Sequence, residues 1–176
     1  MTTTVSKFSP PASEAYAEYY QNYVGLVPEG DFLKVFEGQI GLLDELLGDL
    51  PAGEDSKLHE PYTWTLKQLM GHLIDVERIF STRMLRIGVG DPAPLPGMDQ
   101  DLYVANLDYE QVSMADLLGE FSGLRRANVL LAKRMSAENL ALYGVASDQP
   151  VSAKANLFIL AGHVEYHVQI IRKRLA

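Results

Sequence analysis

Residues 160–170 read "LAGHVEYHVQI". Two of the chain's four histidines, His163 and His167, stand four residues apart in this otherwise apolar run. On a helix, residues at that spacing share one face, one turn apart. Leu160, Val164 and Ile171 mark the apolar stripe of such a helix, and both histidines fall within it, with Glu165 on roughly the opposite side. The segment therefore reads as a helix over about 152–174, capped by Ser152 after Pro150, with two imidazoles on its buried face. Two readings are open. The pair is part of a divalent-metal site, or it belongs to a core helix whose histidines have found hydrogen-bond partners. "HVEYH" is not a zincin signature, because there a glutamate directly follows the first histidine and here Val164 holds that place.

Three more segments carry the helical period. In "PEGDFLKVFEGQIGLLDELLGDLP" (28–51), Asp31 caps a helix that stops before Pro51, and Phe32, Phe36, Ile40, Leu43, Leu47 and Leu50 form one stripe. In "TWTLKQLMGHLIDVERIFSTRMLRIG" (63–88), Thr63 or Thr65 is the cap, and Leu66, Leu69, Leu73, Val76, Phe80 and Met84 form the stripe. A helix over about 113–139 starts at Ser113, which with Asp116 resembles a capping box. Its seam of Leu117, Phe121, Leu124, Leu131 and Met135 is interrupted by Asn128. Residues 1–12 read as a flexible arm and 13–24 as a short helix whose tyrosines 16, 19, 20 and 23 cover the core. Residues 88–106, rich in Gly, Pro and Asp, read as a long loop of the kind that often carries function. No alternation persists long enough to predict a strand. The expectation is an all-α fold, a four-helix bundle with a short extra N-terminal helix, formed by residues 13–176 as a single domain. Sites in such bundles are built from inward-facing side chains.

Composition narrows the function. The chain has 176 residues and a net charge of -8, so broad binding to nucleic-acid phosphates is disfavoured. "RKR" at Arg172–Arg174 is the densest basic patch and suits the C-terminal end of a helix. The absence of cysteine rules out disulfides, thiolate ligands and a cysteine nucleophile. With no signal-like N-terminus and no run of transmembrane length, the expected location is the cytoplasm, without membrane partners. There is no G-x-S-x-G elbow and no phosphate-cradling glycine loop.

A metal site needs a third ligand. His59, in the turn-like "SKLHEPYTW", is expected to be exposed. His72 lies inside the helix of 63–88, at the edge of its stripe, and would converge with His163 and His167 if the two helices are neighbours. Three neutral imidazoles with positions left open make a catalytic type of site. Imidazole alone does not choose among zinc, nickel, copper and iron. Asp75, three residues after His72, either approaches the site or is a surface carboxylate. Asp99 and Asp101 either line the mouth, one of them as a base, or cap a helix. Glu77 is expected to pair with an arginine such as Arg125, Asn128 to hydrogen-bond near the site or fix register, and Trp64 to pack.

From about Tyr16 to Arg174 the chain resembles the DinB-like superfamily, the DinB/YfiT group of metal-dependent enzymes. The resemblance is carried by "YVGLVPEGDFL", "TWTLKQLMGHLIDVER", "PLPGMDQDLYV", "EFSGLR" and "LAGHVEYHVQIIRKR", with "GHLID" and "AGHVEYH" the most specific parts. It implies a four-helix bundle holding one divalent metal ion, zinc or nickel, on His72, His163 and His167. It also implies a homodimer that acts on a small-molecule substrate, as a transferase or isomerase using a low-molecular-weight thiol; hydrolysis by a metal-bound water fits the same open site. The chain departs from the relatives' Gly-His-Glu-x-His-His pattern at Val164 and Tyr166. The rival expectation is a non-catalytic, stress-related bundle whose metal is structural and closed by a fourth ligand, for instance from residues 91–103.

Overall fold

The computed structural model describes residues 6–176. Four long helices form the body: α2 (Phe32–Leu47), α3 (Leu66–Gly88), α5 (Met114–Arg134) and α7 (Ala153–Leu175), with one-turn α1 (Gln21–Val24) and short α4 (Gln100–Asn106) and α6 (Ala137–Ala141) between them. Both α2 and α3 pack against α5 and α7, so the consecutive helices α2 and α3 stand diagonally across the bundle. The segment between them must therefore cross one end of it. Among the described residues, no helix is long and apolar enough to cross a membrane.

The long helices begin where side chains satisfy their free N–H groups. Asp31 accepts from the amides of Leu33 and Lys34, and Ser113 and Ser152 accept from those of Asp116 and Ala155. Of the two candidate threonines, Thr65 caps α3, in a reciprocal capping box with Gln68. The apolar stripes then meet inside. Phe32 stacks on Phe158 with centroids 4.3 Å apart, and Phe36, Leu43, Leu66, Met84 and Ile171 are completely or almost completely buried.

The bundle interior also holds a polar network. Arg125 Nη2 donates to Glu77 Oε1 at 2.5 Å, its Nη1 donates to Gln39, and Asn128 Nδ2 donates to Glu77 Oε2 at 2.7 Å. Glu77 and Arg125 thus pair as expected, and the polar break in the α5 seam at Asn128 is explained by the second oxygen of that carboxylate. Glu165 turns away from the histidine face and is half-buried, where it accepts from Gln39 Nε2 at 2.6 Å.

Three expectations are corrected. The helix over 113–139 ends at Arg134. Met135 is extended, and Ser136 starts α6 in a capping box with Asn139. A serine that can cap a new helix competes with continuation of the old one. Strands are present: β1 (Tyr143–Ala146) and β2 (Gln149–Ser152) form an antiparallel hairpin, with Ser147 and Asp148 in the left-handed region as a tight hairpin turn demands. Four-residue strands are too short for alternation to register. The helix over 13–24 is broken into two 3-10 turns, Ser13–Ala15 and Glu18–Tyr20, followed by α1. The N-terminal arm lies outside the described residues up to residue 5. Beyond it, Lys7 donates to the carbonyl of Met135 at 2.7 Å and Phe8 stacks on Phe32.

Candidate metal centre

His72 lies in the second turn of α3, and His163 and His167 lie in the middle of α7. Adjacency of the two helices turns all three imidazoles into one buried cluster. His163 Nε2 is 3.0 Å from His72 Nε2 and 3.1 Å from His167 Nε2. Three nitrogens bound tetrahedrally to one zinc at the usual bond length would be separated by roughly 3.3 Å. Hydrogen bonding within the cluster cannot satisfy it. His163 Nε2 has one lone pair and faces two ring nitrogens, and the Nδ1 atoms of His72 and His167 are buried without a protein partner. One cation accepting all three Nε2 lone pairs removes the conflict at Nε2 and fixes the proton of each ring on Nδ1, so the residues fit a divalent metal.

The electrostatics agree. Burial pushes the His72 pKa down to about 4. Burial, with a smaller contribution from His72, takes His167 down to about 3. His163 is lowered well below the ordinary histidine range, by burial first and then by His167, His72 and Arg125. All three imidazoles are neutral at pH 7, the form that binds metal.

Aromatic rings, rather than carboxylates, hold the imidazoles in place. Trp64 lies 5.2 Å from the His72 ring, Tyr23 meets His163 edge-on at 5.3 Å, and Tyr166 meets His167 edge-on at 5.2 Å. Tyr166 thus supports a ligand candidate. The glycines before the two "GH" histidines make room for neighbours. A Cβ at Gly71 would fall 2.1 Å from the Tyr109 ring, and one at Gly162 would fall 1.9 Å from the Tyr23 carbonyl oxygen.

Two cavities open onto the cluster. The smaller, about 130 Å³, is bounded by Tyr20, Tyr23, Phe80, Arg83, His72 and His163. The larger, about 400 Å³, is bounded by Tyr62, Trp64, Asp101, Tyr166, His167 and Arg174. Tyr19, Tyr23 and Gln100 line both, so tyrosines expected to cover the core also wall the site: Tyr16 is buried in the core, half-buried Tyr20 and Tyr23 pack against it, and Tyr19 is exposed. Trp64, expected as packing, also faces the cavity.

The three candidate acids go to different places. Asp101 lines the larger cavity. Asp99 caps α4, accepting from the amides of Asp101 and Leu102. Asp75 is buried rather than on the surface, and accepts from the Tyr109 hydroxyl. His59 is not exposed either. Its side chain is 13% accessible, and its Nε2 lies 2.5 Å from Glu54 Oε1. Arg174, read as a helix-end cation, is buried at the wall of the larger cavity. The Arg174 role was missed because a C-terminal basic cluster carries no mark of which member turns inward.

Among curated proteins, none matches the chain. Among solved structures, YfiT from Bacillus subtilis, described as a probable metal-dependent hydrolase with an unusual four-helix bundle topology, superposes with a TM-score of 0.73. The match covers 95% of this chain and 93% of that one at 12% identity, so it is a likeness of fold. The model of the DinB superfamily matches residues 36–171, a span that includes all three clustered histidines. The chain is a member of the DinB superfamily.

Proposed function

We propose that this protein is a divalent-metal-dependent enzyme that transforms a small molecule in the cavity beside His167, as a hydrolase or as a transferase using a low-molecular-weight thiol. The observation that carries it is the convergence of the His72, His163 and His167 Nε2 atoms at the wall of an open cavity. No carboxylate joins the three among the described residues, which favours an open site over the closed four-ligand site of a structural zinc. Zinc and nickel are the metals the family resemblance favours, and three imidazoles suit both.

The three histidines would hold the metal, which when bound supplies Lewis acidity that polarises an electrophile and acidifies a nucleophile. Tyr23, Trp64 and Tyr166 orient the imidazoles. Asp101, on the same cavity wall, is the group placed to accept the nucleophile's proton on a carboxylate oxygen. Asp99 supports it by starting the helix that presents it, and Asp75 supports His72 by holding Tyr109 against Gly71. The hydrolase reading draws on the description of YfiT, and the thiol reading on the family resemblance. The same resemblance supports a homodimer, and a cysteine-free composition fits a reducing compartment such as the cytoplasm.

Metal analysis of protein purified without a histidine tag tests the proposal, followed by assays of ester hydrolysis and thiol transfer on the loaded protein. One metal per chain, lost in His72→Ala, is expected. Absence of stoichiometric metal from both proteins would sink it.

A further inference from the structure

Arg174 is an arginine without an acid. It is 7% exposed, and it forms no ion pair among the described residues, although the chain has 23 acidic residues against 15 lysines and arginines. Burying a cation is costly unless it is paired and hydrogen-bonded. The fold meets that need in part. Nη2 donates to the Trp64 carbonyl at 2.8 Å and lies 3.3 Å from His59 Nδ1, and the guanidinium sits over the Tyr62 ring at 5.2 Å. His59 can accept there because its other nitrogen faces Glu54. The rest of the guanidinium is unclaimed. Nε is buried with no partner, and Nη1 makes no hydrogen bond to the described residues.

The side chain lines the same 400 Å³ cavity as His167. The cavity therefore has candidate metal-ligand chemistry and an incompletely neutralised, prepositioned cation on its walls, with Tyr62, Trp64 and Tyr166 also lining it. A cavity of this size holds a small molecule, and aromatic walls suit an apolar body. We infer that Arg174 is a substrate-anchoring residue and that the substrate class is small carboxylates. The carboxylate takes the free Nη1 hydrogens, and the apolar remainder lies against the aromatic wall and extends toward His167. A single guanidinium matches one negative charge, which favours a carboxylate over a phosphate dianion. Arginine suits the role because it stays charged when partly desolvated and its planar donors match a carboxylate.

The inference takes from the proposed function only the identity of the reacting end of the cavity, and it is tested without turnover. Trp64 is the chain's one tryptophan, it lines this cavity, and its carbonyl is held by Arg174, so its fluorescence reports occupancy. Benzoate, benzamide and phenyl phosphate are titrated into metal-free and metal-loaded protein, and into Arg174→Lys and Arg174→Met. Benzoate should bind roughly ten- to a hundredfold more tightly than benzamide in both forms of the wild type. The preference should shrink in Arg174→Lys and vanish in Arg174→Met. Equal binding of benzoate and benzamide in the wild type overturns the inference even if the methionine variant does not fold. So does benzoate binding confined to metal-loaded protein, which would place the carboxylate on the metal, and so does a preference for phenyl phosphate. Failure to load metal would defeat the proposed function while leaving the titration of metal-free protein decisive for Arg174.

Discussion

The Cβ that Gly162 lacks would lie 1.9 Å from the carbonyl oxygen of Tyr23. This contact sets how closely α1 can approach α7, and hence where the Tyr23 ring meets His163. The obstacle is backbone on both sides, so no rotamer change relieves it. Gly162→Ala should destabilise the protein by about 1–3 kcal/mol, the usual cost of overpacking. Gly38, on the exposed face of α2 with nothing within 4 Å of its missing Cβ, is the control. Gly38→Ala should stabilise by about 0.5–1 kcal/mol, because alanine loses less backbone entropy in a helix. Urea unfolding of both variants checks the pair. Similar effects at the two positions would mean that α1 does not press on α7.

Metal binding to the three histidines should stabilise the fold in proportion to the ligand excess. At a hundredfold excess over Kd the gain is about 2.7 kcal/mol, or roughly 5–10 °C in Tm for a chain of this size. His163→Ala should abolish the shift, because His163 Nε2 lies between the other two. Thermal melts with and without zinc or nickel measure this. A shift that survives the substitution would place the metal elsewhere.

Arg125 and Glu77 are both essentially inaccessible, so removing one partner leaves a buried, unpaired charge. Arg125→Met should cost about 3–5 kcal/mol. Adding Glu77→Gln should recover part of that loss, because a neutral amide keeps a partner for Asn128 without a stranded charge. A double-mutant cycle by denaturant unfolding gives the coupling, and purely additive losses would refute it.

Asp75 carries a pH signature. Burial pushes its carboxyl up, and the bonds from Tyr109 and the charge of Arg78 only partly offset this. With its pKa raised in the folded state, the protonated form is the one folding favours. The associated stabilisation is complete below the ordinary aspartate range and is lost as pH rises through the raised value. Asp75→Asn keeps an acceptor for Tyr109 and removes the titration. The variant should therefore gain on the wild type as pH rises from about 3.5 to 7. Unfolding at the two pH values tests the sign, and a variant that loses ground as pH rises would reverse it.

Much of this architecture was legible in one dimension, because helices are local objects. Hydrogen bonds four residues apart and stripes of period 3.6 place α2, α3, α5 and α7, and Asp31, Thr65, Ser113 and Ser152 mark their starts. The same periodicity put His163 and His167 on a buried face. The hairpin and the break after Arg134 were not legible, since four-residue strands and a change of cap leave too short a pattern.

The sequence by itself determined which residues are helical, which faces are apolar and that two histidines look inward along one turn of α7. Tertiary structure decided that α3 and α7 are neighbours, so that His72 joins the pair, and that Tyr20 and Tyr23, which pack against the core, also wall a cavity. It also decided that Arg174, alone among the three basic residues of "RKR", is buried and lines the same cavity as His167. The division has a physical cause. Backbone hydrogen bonding and side-chain period act over a few residues. Which helix faces meet depends on close packing between segments some ninety residues apart, and there a missing Cβ at Gly71 or Gly162 counts for as much as any ligand.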